Sequence, residues 1–156
     1  MDLALSHSLT ASAVAPFIRA TREGRAKGTT MTIVNDANEK RVTIRFRRPK
    51  GFDKTVLVDV MTGSDNETSF KFVGSVPLSG PLTYSQSKWA KAPQEKAEFA
   101  MTVLNWTFRA IQAGDLKTVR VLHEAKCARC GRKLTVPESI DSFMGPECRG
   151  HLPASK

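Results

Sequence analysis

The stretch Arg41-Val42-Thr43-Ile44-Arg45-Phe46-Arg47 decides the fold. Apolar and polar residues alternate along it with a period of two. Successive side chains of a strand point to opposite faces. Val42, Ile44 and Phe46 are therefore expected on a packed face. Arg41, Thr43, Arg45 and Arg47 are expected on a solvated one. Strict alternation of this kind argues for a strand of an antiparallel sheet and against a helix.

The neighbouring segments extend the sheet. Asp36-Ala37-Asn38-Glu39 is a turn-rich stretch joining residues 30–35 to 41–47, which is a hairpin signal. Residues 56–61 read as a third strand. Gly63-Ser64-Asp65-Asn66 reads as a turn, and residues 69–73 as a fourth strand with Phe70 and Phe72 on one face. Residues 77–91 are a loop rich in Pro, Gly and Ser that carries Tyr84, Lys88 and Trp89. A helix is expected over 93–113, with Pro93 suited to its first turn and Gly114 to the position past its end. Ala97, Ala100, Leu104, Phe108 and Ile111 recur at spacings of three and four, giving one stripe to cover the sheet. Trp106 is expected in the core with Phe108. Residues 116–122 form a further strand. Upstream, residues 12–26 read as a short helix with Pro16 near its start. Gly24 and Gly28 then loosen the chain, so residues 1–30 are expected as a loosely attached helical extension. The compact sheet-plus-helix domain then spans 31–122, and a separate module spans 123–156.

The chain has 156 residues and a formal net charge of +9. A chain of this length buries roughly 70% of its unfolded surface, enough for a real core. No run approaches the length of a membrane-crossing helix, and no membrane association is expected. Met1-Asp2-Leu3 lacks the basic region of a secretory signal, and the apolar run over 11–17 is short. A location in the host cell cytoplasm is the expectation. Residues 1–50 carry ten basic and four acidic side chains, residues 51–115 six and seven, and residues 116–156 eight and four. The excess sits at both ends around a neutral middle, which points to a polyanionic partner, DNA or RNA. Arg41, Arg45, Arg47 and Arg48 line one strand and its exit as candidate phosphate contacts. No phosphate-binding glycine loop, nucleophile elbow or paired carboxylate spacing is present. The chain is therefore read as non-enzymatic.

The C-terminal module carries the chemistry. Cys127-x-x-Cys130-Gly131 lets two thiolates reach one ion across a tight turn, and the glycine can adopt positive φ. Gly145-Pro146-Glu147-Cys148 supplies a third thiolate at the start of a short helix. Three cysteines cannot close into a disulfide framework. Zn²⁺ is the expected cofactor. Three thiolates and one histidine would leave no open position, so the site reads as structural. Arg129, Arg132 and Lys133 would form a basic rim around it. For the fourth ligand, the Cys148-x-x-His151 spacing favours His151. His123, four residues before Cys127, is its rival on these grounds.

Cys127-Ala-Arg-Cys-Gly-Arg-Lys-Leu-Thr-Val-Pro-Glu-Ser-Ile140 with Gly145-Pro-Glu-Cys148 resembles an uncharacterised zinc-finger-like domain family common in phages and prophages. The resemblance covers about residues 123–150. Met61-Thr-Gly-Ser-Asp-Asn-Glu67 resembles longer members more loosely. The resemblance implies a phage or prophage origin and a bound zinc, with no established activity. It also implies a histidine ligand at His123, against the spacing, and the metal set is taken as Cys127, Cys130, Cys148 and His123 with His151 as the rival. This chain has Ser142-Phe143-Met144-Gly145-Pro146 before the third cysteine, where members often carry Gly-Ile-Gly-Pro. The expected fold class is α+β: a small antiparallel sheet covered by one helix, with a C-terminal treble-clef-like zinc finger. The expected function is nucleic-acid binding by a zinc-binding phage protein. The alternative is a protein-interaction module that binds or inhibits a host defence or replication protein. The sequence leaves the oligomeric state open.

Overall fold

The computed structural model describes residues 7–21, 24–51, 53–62, 69–116, 118–124 and 126–129. Among them are seven strands and two helices: β1 (His7–Leu9), α1 (Ala11–Arg19), β2 (Arg25–Asn35), β3 (Lys40–Arg48), β4 (Thr55–Met61), β5 (Phe70–Pro77), β6 (Ser85–Gln86), α2 (Gln94–Gln112) and β7 (Val119–His123). The strands form one sheet in the order β1-β7-β2-β3-β4-β5-β6. Every neighbouring pair is antiparallel. β2 through β6 make a meander of successive hairpins. α2 then carries the chain back across the sheet, so that β7 pairs with the other side of β2.

The expected fold class is corrected by this architecture. The sheet is large, two helices accompany it, and the structure is mainly sheet. Among the described residues no three His, Cys, Asp or Glu side chains converge as a metal site, so the treble-clef part of the expectation is withdrawn. Residues 130–156 lie outside the described residues, as does the expected turn at Gly63-Ser64-Asp65-Asn66.

Alternation in β3 builds the core. Val42, Ile44 and Phe46 are buried, whereas Thr43, Arg45 and Arg47 are partly exposed. Val56, Val58 and Val60 of β4 and Met31 and Ile33 of β2 join the same cluster. Burial of each such side chain contributes roughly 1.5–3 kcal/mol. α2 lays Ala97, Ala100, Leu104 and Phe108 on this cluster, along the stripe the spacing identifies. Gly114, just past the end of α2, has φ +79°.

Residues 7–21 contribute to the same core. Leu9, Val14, Phe17 and Ile18 are all in the cluster, and β1 pairs with β7 from His7↔His123 to Leu9↔Val121. The two glycines expected to loosen the chain instead shape the start of β2. Gly28 has φ +69°, and a Cβ there would overlap the carbonyl oxygen of Phe46. It sits in the register shift between Arg25 and Thr29, where β2 deviates from β3. A glycine in a strand can thus mark a bulge and a close backbone approach rather than a chain break.

The opposite sheet face is less solvated than alternation alone implies. Thr32, Thr43 and Leu122 share it by register. Thr32 and Leu122 are nearly inaccessible, and the Thr32 and Thr43 hydroxyls are hydrogen-bonded at 2.9 Å. The tip of the β2–β3 hairpin is pinned to β7 by Arg120, whose Nε and Nη2 each donate to the Asp36 carboxylate at 2.9 Å. Among the described residues no helix is long and apolar enough to cross a membrane.

Candidate functional site

Two of the candidate metal ligands lie in the described residues, at the end of β7. His123 closes the strand on the core face and is 2% exposed. Its ring lies 5.7 Å from those of Phe17 and His7. The chain then leaves the sheet. Thr30 Oγ1 donates to Glu124 Oε1 at 3.0 Å, and Lys126 Nζ lies 3.4 Å from Glu124 Oε2. These contacts lead into Cys127 and Ala128, both fully buried in the main cluster. The Ala128 carbonyl accepts hydrogen bonds from Thr29 Oγ1 at 2.9 Å and Thr21 Oγ1 at 3.4 Å. The first thiol of the Cys-x-x-Cys pair is therefore anchored between the end of α1 and the start of β2. Cys130, Cys148 and His151 lie outside the described residues, as do Arg132 and Lys133. Cys127 and His123 are thus both buried, at 1% and 2% exposure. His7, beside His123 on the edge strand, escapes a reading of the sequence because a lone histidine carries no spacing signal.

The arginine face of β3 has a different organisation from the expected row of phosphate contacts. Asp59 of β4 is fully buried on that face, directly opposite Arg45. Arg45 Nε donates to Asp59 Oδ2 at 2.8 Å. Arg47 reaches the same carboxylate through both Nε and Nη2, the latter 2.8 Å from Oδ1. The Arg45 guanidinium also lies over the Phe70 ring, 4.7 Å from its centroid. One carboxylate thus answers two guanidinium groups, and the trio carries a single net positive charge. Arg48 Nη1 donates to the Thr21 carbonyl at 3.5 Å. Arg41 is exposed, and Arg129 is half-buried beside Ala128.

The aromatic candidates separate. Trp89 is 71% exposed, with Lys88 Nζ 5.3 Å from its ring centroid as a cation–π contact. Tyr84 packs into the core against Gly74, and its hydroxyl donates to Gln86 Oε1. Burial pushes the Tyr84 phenol above its ordinary value near 10. The folded chain then holds this proton more tightly than the unfolded chain. The resulting stabilisation is present below about pH 10 and is lost as pH rises further. Tyr84 is the only tyrosine. Ultraviolet titration should therefore show phenolate appearing only at a pH above that of free tyrosine, together with alkaline unfolding. Ionisation near pH 10 in the folded protein would contradict the packing described here.

Trp106 departs from its expected core position. It is 37% exposed and lines a cleft of about 490 Å³ between α2 and the β2–β3 hairpin. A single stripe on α2 leaves out the adjacent one at 95, 98, 99, 102, 103, 106 and 107, which the sequence signals only weakly because polar and apolar residues mix along it.

No curated protein and no solved structure matches the chain. Residues 120–153, a stretch that begins in β7 and contains His123 and all three cysteines, match one family, described as a family of unknown function (DUF6011).

Proposed function

We propose that the chain is a non-enzymatic zinc-binding protein of phage or prophage origin that binds nucleic acid. Cys127, Cys130, Cys148 and His123 hold the ion, with His151 the rival for the fourth position. The observation that carries this reading is the buried, twice-anchored Cys127-Ala128 turn opening a Cys-x-x-Cys-Gly motif. The family match over the same residues supports its being a recurrent unit. Zinc held by three thiolates and an imidazole is coordinatively closed, so it acts by ordering the chain around it. Arg129, Arg132 and Lys133, close in sequence to the Cys127 and Cys130 ligands, meet phosphates. Arg41 of β3 and the Trp89–Lys88 pair in the turn after β6 add contacts. Arg45 and Arg47 contribute less, because Asp59 offsets part of their charge.

Fluorescence anisotropy with labelled DNA and RNA at several salt concentrations tests the reading. Affinity should fall steeply with salt. R132A and K133A should each weaken binding to all sequences alike and lower the salt slope by about 0.7–0.9 for each phosphate no longer neutralised. Lack of binding to either polymer at low salt would contradict it, and would favour a protein partner instead.

A further inference from the structure

The middle of the chain is neutral as a whole but holds a local basic island. Residues 68–94 carry three lysines, Lys71, Lys88 and Lys91, and no aspartate or glutamate. The same stretch carries Trp89, which is 71% exposed. Backbone pairing draws these residues to one corner of the sheet. Lys91 N–H donates at 2.8 Å to the carbonyl of Phe72, the residue after Lys71, and Ser87 N–H donates at 2.9 Å to the Val73 carbonyl. All three lysines are exposed, and among the described residues none of them is in an ion pair. β6 is an edge of the sheet, and β2 to β5 lie between it and β7. The corner is therefore separate from the end of β7 that carries His123 and Cys127.

The turn that presents Trp89 is fixed. Ala90 N–H donates to the Ser87 carbonyl at 3.3 Å, which closes a four-residue turn, and Trp89 N–H donates to Ser87 Oγ at 3.0 Å. The two bonds to Phe72 and Val73 tie both sides of that turn to β5. A large apolar side chain held out in water forgoes the burial that stabilises a fold. Here its backbone is already ordered, which lowers the cost of a partner that covers the ring. Lys88 Nζ, 5.3 Å from the ring centroid, places a cation beside whatever does so.

A planar π system covers an indole well, and phosphates answer lysines. An unpaired nucleotide offers both at once. A base inside a duplex does not, because its faces are already covered by its neighbours and exposing them costs unstacking energy. A bilayer fits less well. Among the described residues the exposed large hydrophobic side chains are Trp89 and Trp106, and Trp106 lines the cleft beside α2. One aromatic on a turn buries little area against the several apolar groups of an interfacial helix. We propose that this corner makes the protein select single-stranded over duplex DNA or RNA, by stacking an unpaired base on Trp89 while Lys71, Lys88 and Lys91 contact the flanking phosphates. The proposal rests on the nucleic-acid reading above and is independent of the zinc.

The chain has two tryptophans, so in W106F the emission reports Trp89 alone. Oligothymidylate should quench that emission, and a DNA duplex of the same length should not. Anisotropy at one salt concentration should show tighter binding of the single strand. W89A should weaken oligothymidylate binding at least roughly fivefold, by loss of one stacked base, and leave duplex binding unchanged. W89F should retain most of the affinity, because a phenyl ring also stacks. K88A with K91A should lower the salt slope of single-strand binding by about 0.7 for each phosphate no longer neutralised. The thermal transitions of these variants should match that of the parent, since the side chains are exposed. Equal binding of both polymers, with no quenching and no effect of W89A, would overturn the proposal and leave the nucleic-acid reading standing. Lack of binding to either polymer at low salt would overturn both. Quenching by vesicles of phosphatidylserine in phosphatidylcholine, with none by oligothymidylate, would assign the corner to a membrane surface and likewise overturn it.

Discussion

Asp59→Asn is expected to destabilise the protein by about 2–4 kcal/mol, read as a fall in the urea midpoint at constant slope. Asp59 is inaccessible to solvent, and its carboxylate receives Arg45 Nε, Arg47 Nε and Arg47 Nη2. Removing one partner of a buried ion pair leaves charge without compensation, which is the expensive way to break it. Asparagine keeps the shape and an acceptor oxygen, so the loss isolates the charge. The arginine side chains are 19% and 22% exposed. They can turn partly toward water, which places the effect below that of a fully enclosed pair. The same substitution releases two guanidinium groups on one face. Affinity for DNA or RNA at low salt should therefore rise even as stability falls. If Arg45 and Arg47 were already the main phosphate contacts, D59N would change binding little. A stability loss under about 1 kcal/mol would show that the trio is a solvated surface cluster.

Cys127→Ser carries the second large effect, because it acts on two levels. The side chain is part of the main core beside Ala128. A serine hydroxyl in that apolar position costs about 1–3 kcal/mol without any metal involved. On the proposed reading the substitution also removes one of three thiolates, and metal-binding energy is folding energy for the segment that the ion orders. Bound zinc should drop below stoichiometric, and protease should cut residues 130–156 faster than in the parent. Cys148→Ser separates the levels. It should lose zinc and nucleic-acid affinity to a similar degree while leaving the thermal transition of the sheet nearly unchanged. Full zinc content in both variants would contradict the assigned ligand set.

Much of the sheet is legible from residue pattern. The β3 alternation, the Asp36–Glu39 turn and the α2 stripe all fall where the structure has β3, a hairpin and α2. These signals are local, and local periodicity reports which face is buried. What escapes is non-local. The place of β1 and α1 depends on pairing with β7, more than a hundred residues away. Gly24 and Gly28 look like chain breakers in the sequence because both need positive φ, and the close approach of Gly28 to Phe46 exists only in the folded sheet. Asp59 falls within the expected strand 56–61, and nothing in its own neighbourhood announces Arg45 and Arg47 across the sheet. Trp106 and Phe108 lie two positions apart on α2, too far around the helix for one stripe to take both. At 100° per residue they face different surroundings, one the cleft and one the core. The Cys-x-x-Cys-Gly motif is legible as chemistry, and the burial of Cys127 in the main core is not. Buried position follows from the Thr21 and Thr29 hydrogen bonds to Ala128, which no spacing rule encodes.

Elemental analysis of the purified chain, with no zinc added during purification and with its folding checked by a cooperative thermal transition, addresses the central claim most directly. The account predicts one zinc per chain, released by a strong chelator with loss of structure at the C-terminal end. A metal-free chain that is fully folded and binds nucleic acid unchanged would contradict it.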